Sequence, residues 1–219
     1  MKFLEETELY YQRESEEFLE KNSVTEYMKK VETRLAQEEQ RVELYLNPSS
    51  LPRLMDTCVK VLITNHLDKF YREFQILLNG DRKEDLSRMY QLLSRNPDSL
   101  SCLRDCLRDY IISEGTEAFL ARLETASTDA KVYIEIILRV HKRFSELLKE
   151  SFANEATFIA SLDIAFSGLI NKNPVTNKNQ TQNSKSSELL AKYCDQMLKK
   201  SNKNCEDFEF EDAATNVVS

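Results

Sequence analysis

A chain of 219 residues with 31% charged residues, three glycines, four prolines and no tryptophan is long enough for one large domain or two small ones. So little turn chemistry argues against a β-sandwich or barrel and for long helices with charged outer faces. The net charge of −7 argues against nucleic acid or an anionic membrane as the main partner, since both ask for a basic footprint.

Residues 3–19 read as a helix, with Phe3/Leu4, Tyr10/Tyr11 and Phe18 a heptad apart and glutamates on the other face. Ser23 followed three residues later by Glu26 is a capping-box pattern. The next helix, 24–46, carries Met28, Val31, Leu35, Val42 and Tyr45 on one stripe, and Asn47-Pro48-Ser49-Ser50 stops it. A third segment, 51–78, bends near Asn65-His66 and buries Leu54, Cys58, Val61, Leu62, Phe70, Phe74 and Leu77. Asn79-Gly80 supplies a left-handed termination carried by the glycine. Asp81 and Glu84 repeat the capping signal ahead of Leu86, Met89, Tyr90 and Leu93, and Asn96-Pro97-Asp98 breaks the chain again.

From 99 to 114 a helix is lined by Leu100, Leu103, Leu107 and Ile111, with Gly115 as its end. A short helix through Phe119 and Leu123 follows. Ser127-Thr128-Asp129 then caps a long helix, 130–152, whose apolar face runs from Val132 and Tyr133 through Ile136, Ile137, Val140 and Phe144 to Leu147 and Leu148. A face that broad meets helices on two sides, and Leu138→Ala in this helix is expected to cost ~2–5 kcal/mol. Phe158, Ile159, Leu162, Phe166 and Leu169 define one more helix, ending near Asn171. No stretch reads as a strand.

Residues 171–187 hold one proline, no aromatic residue and many Asn, Gln, Thr, Ser and Lys, and are expected to form a mobile loop. An amphipathic helix follows, with Leu189, Leu190, Tyr193, Met197 and Leu198 at helical spacing. The tail is acidic (Glu206, Asp207, Glu209, Glu211, Asp212) and reads as frayed or disordered.

Five cysteines, Cys58, Cys102, Cys106, Cys194 and Cys205, form no disulfide framework, which places the chain in the cytoplasm or nucleus. Glu5, Glu6, Glu8 and Glu14 interrupt any signal-peptide core, and no apolar run approaches the ~20 residues of a membrane span. Cys102 and Cys106 stand at i and i+4 on one helix, but zinc needs about four ligands and the chain's histidines are His66 and His141 alone. Both cysteines read as small core residues. His141, between Val140 and Phe144, could act as a base, yet no nucleophile with a recognisable pattern accompanies it, so it reads as a packing histidine. Lys192, Lys199, Lys200 and Lys203 make a small basic face that suits a helix C-terminus. No catalytic, cofactor-binding or metal residue is assigned.

The runs FLEETELYYQRESEEFLEKNSVTEYMKKVETRLAQEEQRVELYL (3–46), NHLDKFYREF (65–74), DLSRMYQLLSR (85–95), VHKRF (140–144), FIASLDIAFSGLIN (158–171) and SKSSELLAKYCDQMLKKS (184–201) follow one another along the chain. Together they resemble the stalk of the cullin family, most of all its SCF-type members. Arg139, Ile164 and Tyr110 depart from the family pattern, which fits a diverged paralogue. The resemblance implies an all-α fold of stacked five-helix repeats forming an elongated stalk. It assigns 1–96 to an incomplete second cullin repeat, 97–171 to the third, 172–187 to a polar mobile loop, and 188–219 to a closing helix with an acidic tail. It implies a non-enzymatic scaffold of a ubiquitin ligase, without cofactor. The binding regions for its substrate-receptor adaptor, RING subunit and ubiquitin-like modifier have no counterpart here. With an incomplete repeat, Phe3, Leu4, Tyr10 and Phe18 should expose an apolar strip that drives self-association. The alternative is a helical tethering adaptor of membrane traffic. An α-helical enzyme has no residue constellation to support it.

Overall fold

A computed structural model describes residues 2–177 and 185–201, and every regular element among them is helical. In chain order these are α1 (Lys2–Leu19), α2 (Val24–Tyr45), α3 (Leu51–Leu62), α4 (Leu67–Asn79), α5 (Lys83–Leu93), α6 (Pro97–Leu120), α7 (Leu123–Thr128), α8 (Ala130–Ser151), α9 (Ala156–Asn171), α10 (Pro174–Asn177) and α11 (Lys185–Ser201). Single 3-10 turns at Pro48–Ser50 and Thr64–His66 join α2 to α3 and α3 to α4.

Local signals explain most of these ends. Ser23 Oγ accepts from the Glu26 amide at 3.2 Å, satisfying a free donor in the first turn of α2. Asn47 Oδ1 accepts from the Ser49 amide at 2.9 Å, and Asp129 Oδ1 from the Lys131 amide at 2.8 Å. Pro97 opens α6, where its missing amide hydrogen costs nothing.

The chain divides into two compact units. The first comprises Met1–Cys106 and Leu147–Phe158. Its interior is built from Tyr27, Met28, Val31 and Leu35 of α2, Leu54 and Cys58 of α3, and Phe70 and Phe74 of α4, all at most 1% exposed. Phe74, Tyr90, Phe152 and Phe158 form an aromatic cluster with centroid separations of 4.8 to 6.2 Å, three of its contacts edge-on and the Phe152–Phe158 contact tilted. The three phenylalanine rings are fully buried and each contributes about 1.5–3 kcal/mol relative to exposure, while Tyr90 is half-buried. The second unit comprises Leu107–Glu146 and Ile159–Ser219. There Ile111 and Phe119 of α6 are fully buried with Tyr133, Ile137 and Phe144 of α8 and Leu169 of α9.

Several sequence expectations are corrected. Gly115 does not end a helix: α6 runs through it, and a Cβ on Gly115 would lie 2.3 Å from Leu169 Cδ2. The glycine permits a close helix–helix approach. At the end of α4, Gly80 keeps φ −86, and it is Asp81 that takes the left-handed conformation, with φ 50. Asp81 therefore cannot cap α5, whose N-cap position is Arg82, without a side-chain bond. Within 172–187, Asn173 is 1% exposed, α10 follows it directly, and Ser186 is buried in the first turn of α11, while residues 178–184 of the expected loop lie outside the described residues. Leu138 is only half-buried. Of the expected apolar strip on α1, Phe3 and Tyr10 are exposed at 42% and 58%, whereas Leu4 and Phe18 are half-buried. The acidic residues 206–212 lie outside the described residues.

Candidate functional site

His66, at the α3–α4 turn, places Nε2 3.1 Å from Ser15 Oγ and its ring edge-on to Tyr27 at 5.7 Å. Ser15 donates its own hydrogen to the Gln12 carbonyl at 2.9 Å, so it accepts from His66. A hydroxyl whose proton is committed to a carbonyl, on a side chain 1% exposed, is not a nucleophile awaiting a base. Burial lowers the His66 pKa below its ordinary value, aided by Lys69 and opposed by Glu16. His141 packs on Phe166 at 5.0 Å, and its Nδ1 lies 3.3 Å from Ser145 Oγ. Burial lowers its pKa as well, against the field of Asp163.

Cys58 is fully buried, and burial first, then the field of Glu38, pushes its thiol up to about 12. It is inert packing. Cys102 and Cys106 are half-buried and reduced, not the interior residues the sequence reading expected. Of the basic face, Lys192 pairs with Glu188, and Lys199 with Asp195 at 2.6 Å. Lys203 lies outside the described residues. Among the described residues no group of three or more His, Cys, Asp or Glu side chains converges on a metal position.

What the fold does bring together are buried polar joints between helices. In the first unit, Tyr11 of α1 donates to Glu38 of α2, a carboxylate with no exposed surface, which also forms an ion pair with Arg41 at 3.1 Å. Burial, then the bond to Glu38, raises the Tyr11 pKa far above its ordinary value. Tyr27 of α2 donates to the Leu62 carbonyl at 2.8 Å, holding α2 to the end of α3. Glu14 bonds Arg34, and Lys30 at 3.2 Å. Burial pushes the Glu14 carboxyl up, but the two cations outweigh it and hold it below its usual range.

In the second unit Asn173 is the hub. Its Nδ2 donates to Tyr133 Oη (3.0 Å) and to the Leu169 and Ile170 carbonyls (3.0 and 3.2 Å). Its Oδ1 accepts from the Val175 and Thr176 amides at 3.0 and 3.2 Å. Thr176 Oγ1 reciprocates by accepting from the Asn173 amide at 2.9 Å. Tyr133 Oη also lies 2.7 Å from Ser186 Oγ. One asparagine thus ties α8, α9, α10 and the start of α11. The signal for it was present: Asn, then Pro at the first helical position, then Thr at the third, is a reciprocal cap.

These joints fix helix directions and leave no converging acid, base and nucleophile among the described residues. The class this defines is an all-helical packing protein. Residues 1–219 match the family model described as the Cullin alpha solenoid domain. The chain is 45% identical to Cullin-1 of Caenorhabditis elegans over 221 residues, covering 100% of this chain and 28% of that protein. It is 44% identical over 216 residues to Cullin-1 of Dictyostelium discoideum, covering 99% and 28%, and 38% identical over 220 residues to Cullin-1 of Schizosaccharomyces pombe, with the same coverage. The chain belongs to the cullin family, and these relatives are Cullin-1 proteins. It spans 28% of their length. No helix among the described residues is long and apolar enough to cross a membrane.

Proposed function

We propose that this chain is a non-catalytic scaffold segment of a cullin–RING ubiquitin ligase of the SCF type. It serves as a rigid helical spacer between a substrate-receptor end and a RING end. The observation that carries this reading is the family match along residues 1–219. The buried joints around Glu38 and Asn173 support it, because a spacer works only if its helices hold one geometry. On this reading 1–96 and 97–171 are successive cullin repeats, and the protein acts in the cytoplasm, the nucleus or both. Its partners are a substrate-receptor adaptor, a RING subunit and a ubiquitin-like modifier, all engaged outside the segment.

Affinity capture of a full-length parent tests this. Co-recovery of a RING subunit and of a modifier-conjugated form is the expected result. Recovery of membrane tethers without either would overturn it and revive the trafficking-adaptor reading, which the family match does not favour. Self-association through the α1 strip of Phe3, Leu4, Tyr10 and Phe18, of which Phe3 and Tyr10 are exposed, belongs to the same proposal. Sedimentation should show concentration-dependent association. A clean monomer that binds no apolar dye would contradict it.

A further inference from the structure

The closing helix α11 is lightly held. Among its described side chains it buries Ser186, Leu189 and Tyr193, at 5%, 1% and 9% exposure. Ser187, Lys192, Leu198 and Lys199 are exposed, Leu198 at 67%. In the same unit α9 buries four apolar side chains, Leu162, Ala165, Phe166 and Leu169. An element that buries fewer apolar groups opens at lower free energy than its neighbours.

The polar tie of α11 to the rest of the unit is Ser186. Its Oγ lies 2.7 Å from Tyr133 Oη of α8, which also accepts from Asn173 Nδ2 at 3.0 Å. Tyr133 and Asn173 are 0% and 1% exposed, so the contact closes away from water. The ion pairs Lys185–Glu188, Lys192–Glu188 and Lys199–Asp195 lie within α11 and do nothing to dock it. Ser186, Tyr133 and Asn173 are all uncharged, and a charge buried among neutral groups is costly.

We propose that α11 is a releasable strap on the second unit, latched by the Ser186–Tyr133 contact and opened by negative charge placed on Ser186. Closed, the two hydroxyls satisfy each other out of water. With an anion at position 186 the helix either carries that charge into the neutral hub or leaves, and Leu189 and Tyr193 are the apolar side chains that oppose leaving. The adjacent serine has the opposite sign. Ser187 is exposed in the first turn of α11, where negative charge favours the helix.

Hydrogen–deuterium exchange of the whole chain, followed by mass spectrometry, tests this helix by helix. In the parent, amides of 189–199 should exchange faster than those of 132–144 in α8 and 162–169 in α9. Ser186→Ala should speed 189–199 by about tenfold, the effect of losing one buried hydrogen bond. Ser186→Asp should speed it at least as much, with the α8 and α9 stretches unchanged. Ser187→Ala and Ser187→Asp should speed nothing. Alanine raises helix propensity at both positions, so a helix that simply frays would slow its exchange in both alanine variants. Leu189→Ala should give the same selective release through the apolar contact.

The proposal is overturned if 189–199 exchanges in step with α8 and α9 in the parent. It is also overturned if Ser186→Ala, Ser186→Asp or Leu189→Ala leaves that stretch unchanged or speeds all three alike, or if the Ser187 variants match those at Ser186.

Discussion

Tyr11 and Glu38, 27 residues apart, meet inside the α1–α2 pair with 3% and 0% of their surfaces exposed. Glu38 Oε1 takes the phenolic hydrogen and pairs with the Arg41 guanidinium, while Oε2 is buried without a hydrogen-bond partner. A carboxylate in that position is costly to strip of a donor. Tyr11→Phe should destabilise the chain by about 1–3 kcal/mol, read as a lower urea midpoint. Combining it with Glu38→Met removes the buried charge along with its donor and should recover most of the loss. A double variant as unstable as Tyr11→Phe alone would show that the joint acts through packing instead.

The three glycines include a pair that makes opposite predictions. Gly115→Ala drives a Cβ to within 2.3 Å of Leu169 Cδ2, so the gain in helix propensity is lost to overpacking, at about 1–3 kcal/mol. Gly168 on α9 has nothing within 4 Å of its would-be Cβ, and Gly168→Ala should stabilise by up to ~1 kcal/mol. Thermal unfolding should move down for the first and up for the second. Leu169→Ala should cost less in the Gly115→Ala background than in the parent chain, because the new methyl takes part of the space that the leucine leaves.

His66 gives the first unit an acid sensitivity of definite sign. The unfolded residue protonates near its ordinary value of 6.5, and the folded one only at lower pH. Between those values the unfolded chain binds more protons, so stability falls as pH falls, and the loss is complete below the folded value. The groups that face it are Ser15 and Glu16 of α1, Tyr27 of α2 and Lys69 of α4. His141 adds a loss of the same sign in the second unit. Urea midpoints measured between about pH 7.5 and 5.5 should decline, and His66→Gln should flatten the decline. An unchanged slope in that variant would exclude His66 as a source.

Asn173→Ala should cost about 1–3 kcal/mol, since it leaves two amides and two carbonyls to find other partners. Asn173→Asp, the same size, should also destabilise, because a carboxylate cannot donate to the Leu169 and Ile170 carbonyls. Calorimetric melting of both variants measures it, and an Asp variant as stable as the parent would remove the donor side from the account.

Half-buried Leu138 changes an expectation about α8. Leu138→Ala should cost less than the ~2–5 kcal/mol of a buried leucine, whereas Ile137→Ala, at a position 1% exposed, should fall in that range. Glu39→Ala, which removes a pair with Arg95 exposed at both ends, should stay within about 0.5 kcal/mol. Chemical denaturation of the three variants orders them.

How much was legible before folding follows the range of the interaction involved. The stop at Asn47, the caps at Ser23 and Asp129 and the bend near His66 are local, set by residues two to four apart, and stand as read. Gly115 misled because a helical glycine looks like a terminator until Leu169, 54 residues on, is seen to occupy the space of its absent Cβ. Gly80 misled more subtly: the left-handed residue is its neighbour Asp81. Asn173 was hidden by composition, since a polar run shows no apolar stripe even when one amide satisfies four backbone groups.

By itself, then, the sequence determined the all-helical class, most helix ends and the kinship, because apolar spacing, caps and characteristic runs are all written along the chain. Only the tertiary structure decided which polar groups lost water together, at Glu38, His66 and Asn173, and which cysteines kept contact with it. The reason is that desolvation belongs to a place in space, and the helices that enclose that place come from distant parts of the chain.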